Sequence, residues 1–125
     1  MTTDTITIER TVDEQRTLST MTAAFIADPV MRWLFPKADD YLRSFPTFVQ
    51  TFAGQTFQTN GAYRTTDEHG AALWLPPDVH PDEEAVGAFF QATMPQERQE
   101  AIFSILEQLD KYHPTGAHWY LPVMK

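Results

Sequence analysis

The chain has 125 residues, the size of one domain, and its 42% hydrophobic and 13% aromatic content is enough for a sizeable core. Nine basic residues stand against seventeen acidic ones, for a formal charge of −8. No Lys/Arg cluster offsets this balance, so a nucleic-acid partner is not expected. The absence of cysteine excludes disulfides, thiolate metal sites and thiol nucleophiles. It also fits a reducing compartment. No stretch is apolar enough for a bilayer, and Met1-Thr2-Thr3-Asp4 carries no targeting pattern. The expectation is a soluble cytoplasmic protein without a membrane partner.

Thr5-Ile6-Thr7-Ile8-Glu9-Arg10 alternates and predicts a short strand. Thr11-Val12-Asp13-Glu14 has capping-box spacing, with Thr11 as N-cap. Leu18, Met21, Phe25 and Ile26 then follow at helical intervals, and Asp28-Pro29 closes that helix. Val30 to Phe35 predicts one helical turn, broken at Pro36. Asp39 or Asp40 starts the next helix, with Leu42, Phe45, Val49 and Phe52 as its apolar stripe. Pro46 inside it predicts a kink or a split.

Gly61–Thr66 and Ala71–Leu75 read as two strands joined by the turn Asp67-Glu68-His69-Gly70, hence a hairpin. Pro76-Pro77 ends it. Pro81 followed by Asp82, Glu83 and Glu84 marks a helix start with acids at its positive end. Pro95 opens another helix, with Ile102, Ile105, Leu106 and Leu109 on its buried face. His113-Pro114-Thr115-Gly116 ends it, and residues 118–125 form a last strand. The order is strand, helices, hairpin, helices, strand, an α+β or mixed α/β layer over residues 1–125.

Glu68 and His69 have suitable chemistry for a general base, but a hairpin turn argues for exposure over a tuned pKa. His113 and His118 fit neither a helical pair nor a zinc signature, and with no cysteine a metal site is not expected. Trp33, Phe35 and Trp74 admit two readings, core packing or the wall of a binding groove. Whether Tyr120 faces a cleft depends on strand register.

Three stretches carry a resemblance to a known family. Ala24-Phe25-Ile26-Ala27-Asp28-Pro29-Val30-Met31-Arg32-Trp33-Leu34-Phe35-Pro36 resembles the early helix-loop of one branch of the GNAT superfamily, the acyl-CoA-dependent N-acyltransferases. Gly70-Ala71-Ala72-Leu73-Trp74-Leu75-Pro76-Pro77 resembles that branch's third strand. His113-Pro114 with His118-Trp119-Tyr120-Leu121 resembles the approach to its fourth. They occur in the family's order and span nearly the whole chain.

The resemblance implies the N-terminal half of a GNAT-like fold, about four strands with flanking helices. It implies acetyl transfer from acetyl-CoA to a small-molecule or peptide amine. Trp33, Phe35, Trp74 and Tyr120 would line the acceptor groove. Leu121, Val123 and Met124 would run beside the pantetheine arm.

The family binds the coenzyme pyrophosphate in a glycine-rich loop after the fourth strand, on backbone amides at a helix N-terminus. The five glycines of this chain, Gly54, Gly61, Gly70, Gly87 and Gly116, form no Gly-x-Gly pair. Loss of three charge-assisted hydrogen bonds at about 1.5–3 kcal/mol each weakens binding about a thousandfold or more. Residues 1–125 are therefore expected to be incomplete for catalysis. Two other functions fit the sequence: a non-catalytic binding or assembly module that pairs with a second copy, or docks a separate partner, through its last strand, or an unrelated α+β ligand-binding fold with an aromatic pocket.

Overall fold

The computed structural model describes residues 5–112 and 116–124. Within them the chain forms a four-stranded sheet and five α-helices: β1 (Ile8–Arg10), α1 (Glu14–Ala24), α2 (Pro29–Leu34), α3 (Ala38–Ala53), β2 (Ala62–Thr65), β3 (Ala71–Leu75), α4 (Glu83–Thr93), α5 (Gln96–Asp110) and β4 (Tyr120–Met124). A short 3-10 turn, Gly54–Phe57, follows α3. The class is α+β.

The sheet is antiparallel throughout, with strand order β1-β2-β3-β4. Its alternation decides which face is covered. Ala71, Leu73 and Leu75 are buried, whereas Ala72 and Trp74 are half-exposed. Ala62 and Val123 stand opposite Leu73 on the neighbouring strands and are buried too. One face is therefore packed under the helices and the other faces outward.

Aromatic rings fill the space under the helices. Tyr41 stacks on Phe45 at 4.9 Å between centroids, and Phe48 touches Phe35, Phe45, Phe52, Phe89 and Phe90. A chain of rings thus joins α3 to α4, and Phe90 extends it to Phe103 on α5. Tyr41 is fully buried, and its hydroxyl donates to the Thr22 carbonyl at 2.6 Å, which satisfies the polar tip.

Several predicted details differ. Thr11 is not the cap of α1. Asp13 is: its carboxylate accepts from the Arg16 amide, and the Thr11 hydroxyl instead accepts from the Asp13 amide. Asp28 does not merely end a helix, because its carboxylate caps α2 by accepting from Val30 and Met31, with Pro29 in the first turn. α3 runs unbroken from Ala38 to Ala53 through Pro46.

The buried stripe of α3 is Tyr41, Phe45, Val49 and Ala53, one residue out of phase with the predicted one at its ends, so Leu42 is exposed. On α5 only Ile102 is buried, at 4% exposure, with Leu106 packed at the edge of the core. Ile105 and Leu109, expected inside, are 49% and 54% exposed. The predicted first strand is shorter, and His113, Pro114 and Thr115 lie outside the described residues.

Candidate functional site

β3 and β4 pair irregularly. Leu73 stands opposite Val123 and Leu75 opposite Tyr120, so two steps on β3 meet three on β4. The extra residue makes a β-bulge between Tyr120 and Val123, a distortion that bends a strand and re-aims its side chains. Pro122 is accommodated by its position. Trp74 donates its amide to the Gly61 carbonyl across β2, so the alternate residue Leu73 turns its own amide toward β4 and Val123. One residue from Val123, the missing donor of Pro122 falls on the outer side, where no ladder bond to β3 is lost.

Tyr120, at the start of this strand, lines a cleft. Its volume is about 790 Å³, inside the ~300–1,000 Å³ range usual for small-molecule sites. Phe52 of α3, Val86 of α4, Phe103 and Leu106 of α5, and Tyr120 of β4 supply its apolar and aromatic surface. Asp78, Glu83, Glu107 and Asp110 bring carboxylates to it, and His80 and His118 bring imidazoles. Among the described residues no Lys or Arg lines it.

Local structure explains each wall. Asp78 adopts a left-handed conformation, φ 70°, just after the Pro76-Pro77 stop. Asp82 caps α4 by accepting from the Glu84 and Ala85 amides, and this fixes the helix start beside Glu83. Gln55 donates its side-chain amide to the His80 carbonyl at 2.8 Å, tying this loop to the end of α3. Phe103, Leu106, Glu107 and Asp110 recur at helical spacing and present one face of α5. Burial holds the Tyr120 hydroxyl above its ordinary pKa.

The structure does not bring the four proposed groove residues together. Tyr120 lines the cleft. Phe35 is a core residue, 2% exposed, with its ring against Phe48 and Phe89. Trp33 on α2 is 43% exposed, and the Arg98 guanidinium of α5 lies over its ring at 5.6 Å. Trp74 projects from the outward face of the sheet, opposite to Leu73 and Leu75.

The three strand positions tied to a coenzyme arm also separate. Val123 is buried in the core, Met124 is exposed opposite Ala72, and Leu121 is half-exposed at the bulge. Strand alternation would have parted Val123 from Met124 in any register.

Glu68 and His69 occupy the hairpin turn. The Glu68 carboxylate lies 3.3 Å from Arg16 and 3.5 Å from Arg64, and its carbonyl accepts from Thr20, so the residue ties the turn to α1. His69 is well exposed beside Asp67, whose carboxyl is held below the usual range by the Thr65 hydroxyl first and the His69 amide second. Among the described residues no group of three or more His, Asp or Glu is placed to hold a metal ion. Nor is any described helix long and apolar enough to cross a membrane.

The acids around the cleft were absent from the sequence reading. Asp82-Glu83-Glu84 was assigned wholly to a helix start. Glu107 and Asp110 had the spacing to be noticed, three apart and in phase with Phe103 and Leu106. What they face is decided by β4, which follows on the far side of residues 111–119. The chain matches no protein-family model and no curated protein sequence.

Proposed function

We propose that the chain carries the acceptor side and fourth strand of an acyl-CoA-dependent N-acyltransferase. The observation that carries this reading is the bulged outermost strand β4, beside a cleft of small-molecule size. A strand with one neighbour in its sheet offers backbone donors and acceptors to an extended ligand, as in strand addition. The amide-rich pantetheine arm is such a ligand. Pro122 on the outer side disfavours a fully zipped protein strand there and keeps that edge suited to a small molecule.

In the reaction a neutral amine in the cleft would attack the thioester carbonyl. A β4 amide would polarise that carbonyl, and the tetrahedral intermediate would collapse with cleavage of the C–S bond, the departing coenzyme thiolate taking up the proton lost from the amine nitrogen. Tyr120, which lines the cleft, would orient the amine. No residue of this chain is assigned as general base.

The test is a titration of the 125-residue chain with acetyl-CoA, read on backbone amide resonances. Without a Gly-x-Gly loop the dissociation constant is expected near millimolar, roughly −4 kcal/mol. The expected shifts are at Leu121, Val123 and Met124. Silence at these positions at saturating ligand overturns the reading.

A second reading, an assembly module, is favoured by the exposure of Met124 and Trp119 at the same strand. Light scattering across a concentration series distinguishes it: a dimer that forms with rising concentration favours this reading, and a constant monomer mass removes it.

A further inference from the structure

We infer that the cleft between α4, α5 and the approach to β4 recognises an amphipathic organic cation: a positively charged nitrogen on an aromatic or branched apolar body. Four acidic side chains, Asp78, Glu83, Glu107 and Asp110, come to it from the β3–α4 loop, α4 and α5. None of the four is held in an ion pair among the described residues, whose salt bridges all lie elsewhere. Among the described residues no Lys or Arg lines the cleft, so its formal charges are negative there, in keeping with the net charge of −8. An anionic ligand is repelled, and a neutral one gains nothing from the rim.

The floor fixes the rest of the ligand. Phe52, Val86, Phe103 and Leu106 present hydrocarbon and ring surface. That surface suits an apolar body and is wasted on a hydrated metal ion. The acids are also too dispersed for inner-sphere coordination, since no three carboxylates or imidazoles converge on one point among the described residues. Phe103 and Tyr120 offer ring faces to a cationic nitrogen, an attraction that strengthens as water leaves the cleft. The inference is independent of acyl transfer, because a quaternary ammonium, which cannot be acylated, meets the same requirements.

The probe is (4-phenylbutyl)trimethylammonium, compared with neutral 4-phenylbutanol and anionic 4-phenylbutyrate. Binding to the 125-residue chain is followed by calorimetry and amide resonances at low and high salt. The expected result is that the ammonium binds about tenfold tighter than the alcohol, loses affinity as salt rises, and shifts Phe103, Leu106 and Tyr120, while the carboxylate does not bind.

The double variant Glu107→Gln/Asp110→Asn is expected to bind the ammonium about tenfold more weakly, with its thermal midpoint retained because both side chains are exposed. Asp78→Asn is the substitute should the double variant fail to fold. Equal affinity for all three probes, no binding of the ammonium, displacement of it by equimolar calcium, or shifts confined to other surfaces each overturn the inference. Acetyl-CoA binding at β4 is a separate titration, so either result can fail without the other.

Discussion

At Gly61 an added Cβ falls 1.9 Å from the Trp74 carbonyl oxygen, a backbone atom that cannot step aside without parting β2 from β3. Gly61→Ala is therefore expected to lower stability by about 1–3 kcal/mol, read as a reduced urea midpoint with unchanged slope. Tyr41 makes a second residue-scale case. Burial first, then the neighbouring Asp28 carboxylate, raises its hydroxyl pKa, the Arg32 guanidinium opposes them, and the net result is about 12.

The folded state thus keeps a proton that the unfolded chain releases near pH 10. The stabilisation is complete below pH 10 and is lost as pH rises from about 10 to about 12. Tyr41→Phe is expected to flatten the fall in unfolding free energy across that window. At neutral pH it costs about 1 kcal/mol for the orphaned Thr22 carbonyl. The sequence concealed this residue because hydrophobicity ranks Leu42 above Tyr41. What reverses the order is a carbonyl nineteen positions away, within reach of the phenol.

Elements were more legible than residues. Prolines marked the starts of α4 and α5, with acids in the first turn of α4, because a missing donor or a side-chain acceptor acts within one turn; Asp28-Pro29 read as a stop although it opens α2. The β2–β3 hairpin was legible for the same reason, its turn chemistry being local. Burial phase was not, since it depends on which neighbour arrives.

α5 is the clearest example. Four apolar residues read as one face, yet only Ile102 is buried, with Leu106 at the edge of the core and Ile105 and Leu109 exposed. Ile102→Ala is expected to cost about 2–4 kcal/mol and Ile105→Ala less than about 0.5 kcal/mol, compared by chemical denaturation. A smaller gap between the two would place the α5 contact elsewhere.

For the whole molecule, the α+β class followed from the order of elements, whereas the strand order beyond the one hairpin did not. The cleft did not follow, because Phe52, Val86, Phe103 and Tyr120 are distant in sequence and meet only through the sheet and the ring cluster. The outward face, with Tyr63, Trp74 and Met124, was equally hidden. Association through β4 is opposed by the absent amide of Pro122. Pro122→Val is expected to increase dimer formation, measured by sedimentation at several concentrations. No change would mean that the β4 edge is blocked by something other than the proline.

α5 is fastened unevenly. Arg98 donates to the Leu34 carbonyl and lies over Trp33, Gln99 donates to the Met94 carbonyl, and Ile102 is sunk in the core, all in the helix's first half. Residues 103–110 are held more lightly among the described residues, by the Phe103 ring against Phe90 and by Leu106 at the edge of the core, and they form one wall of the cleft. Their amides should exchange with deuterium sooner than those of residues 98–102, and an occupant wedged beneath them should erase that gradient. The outer half of α5 would then act as a latch, closed by its own cargo.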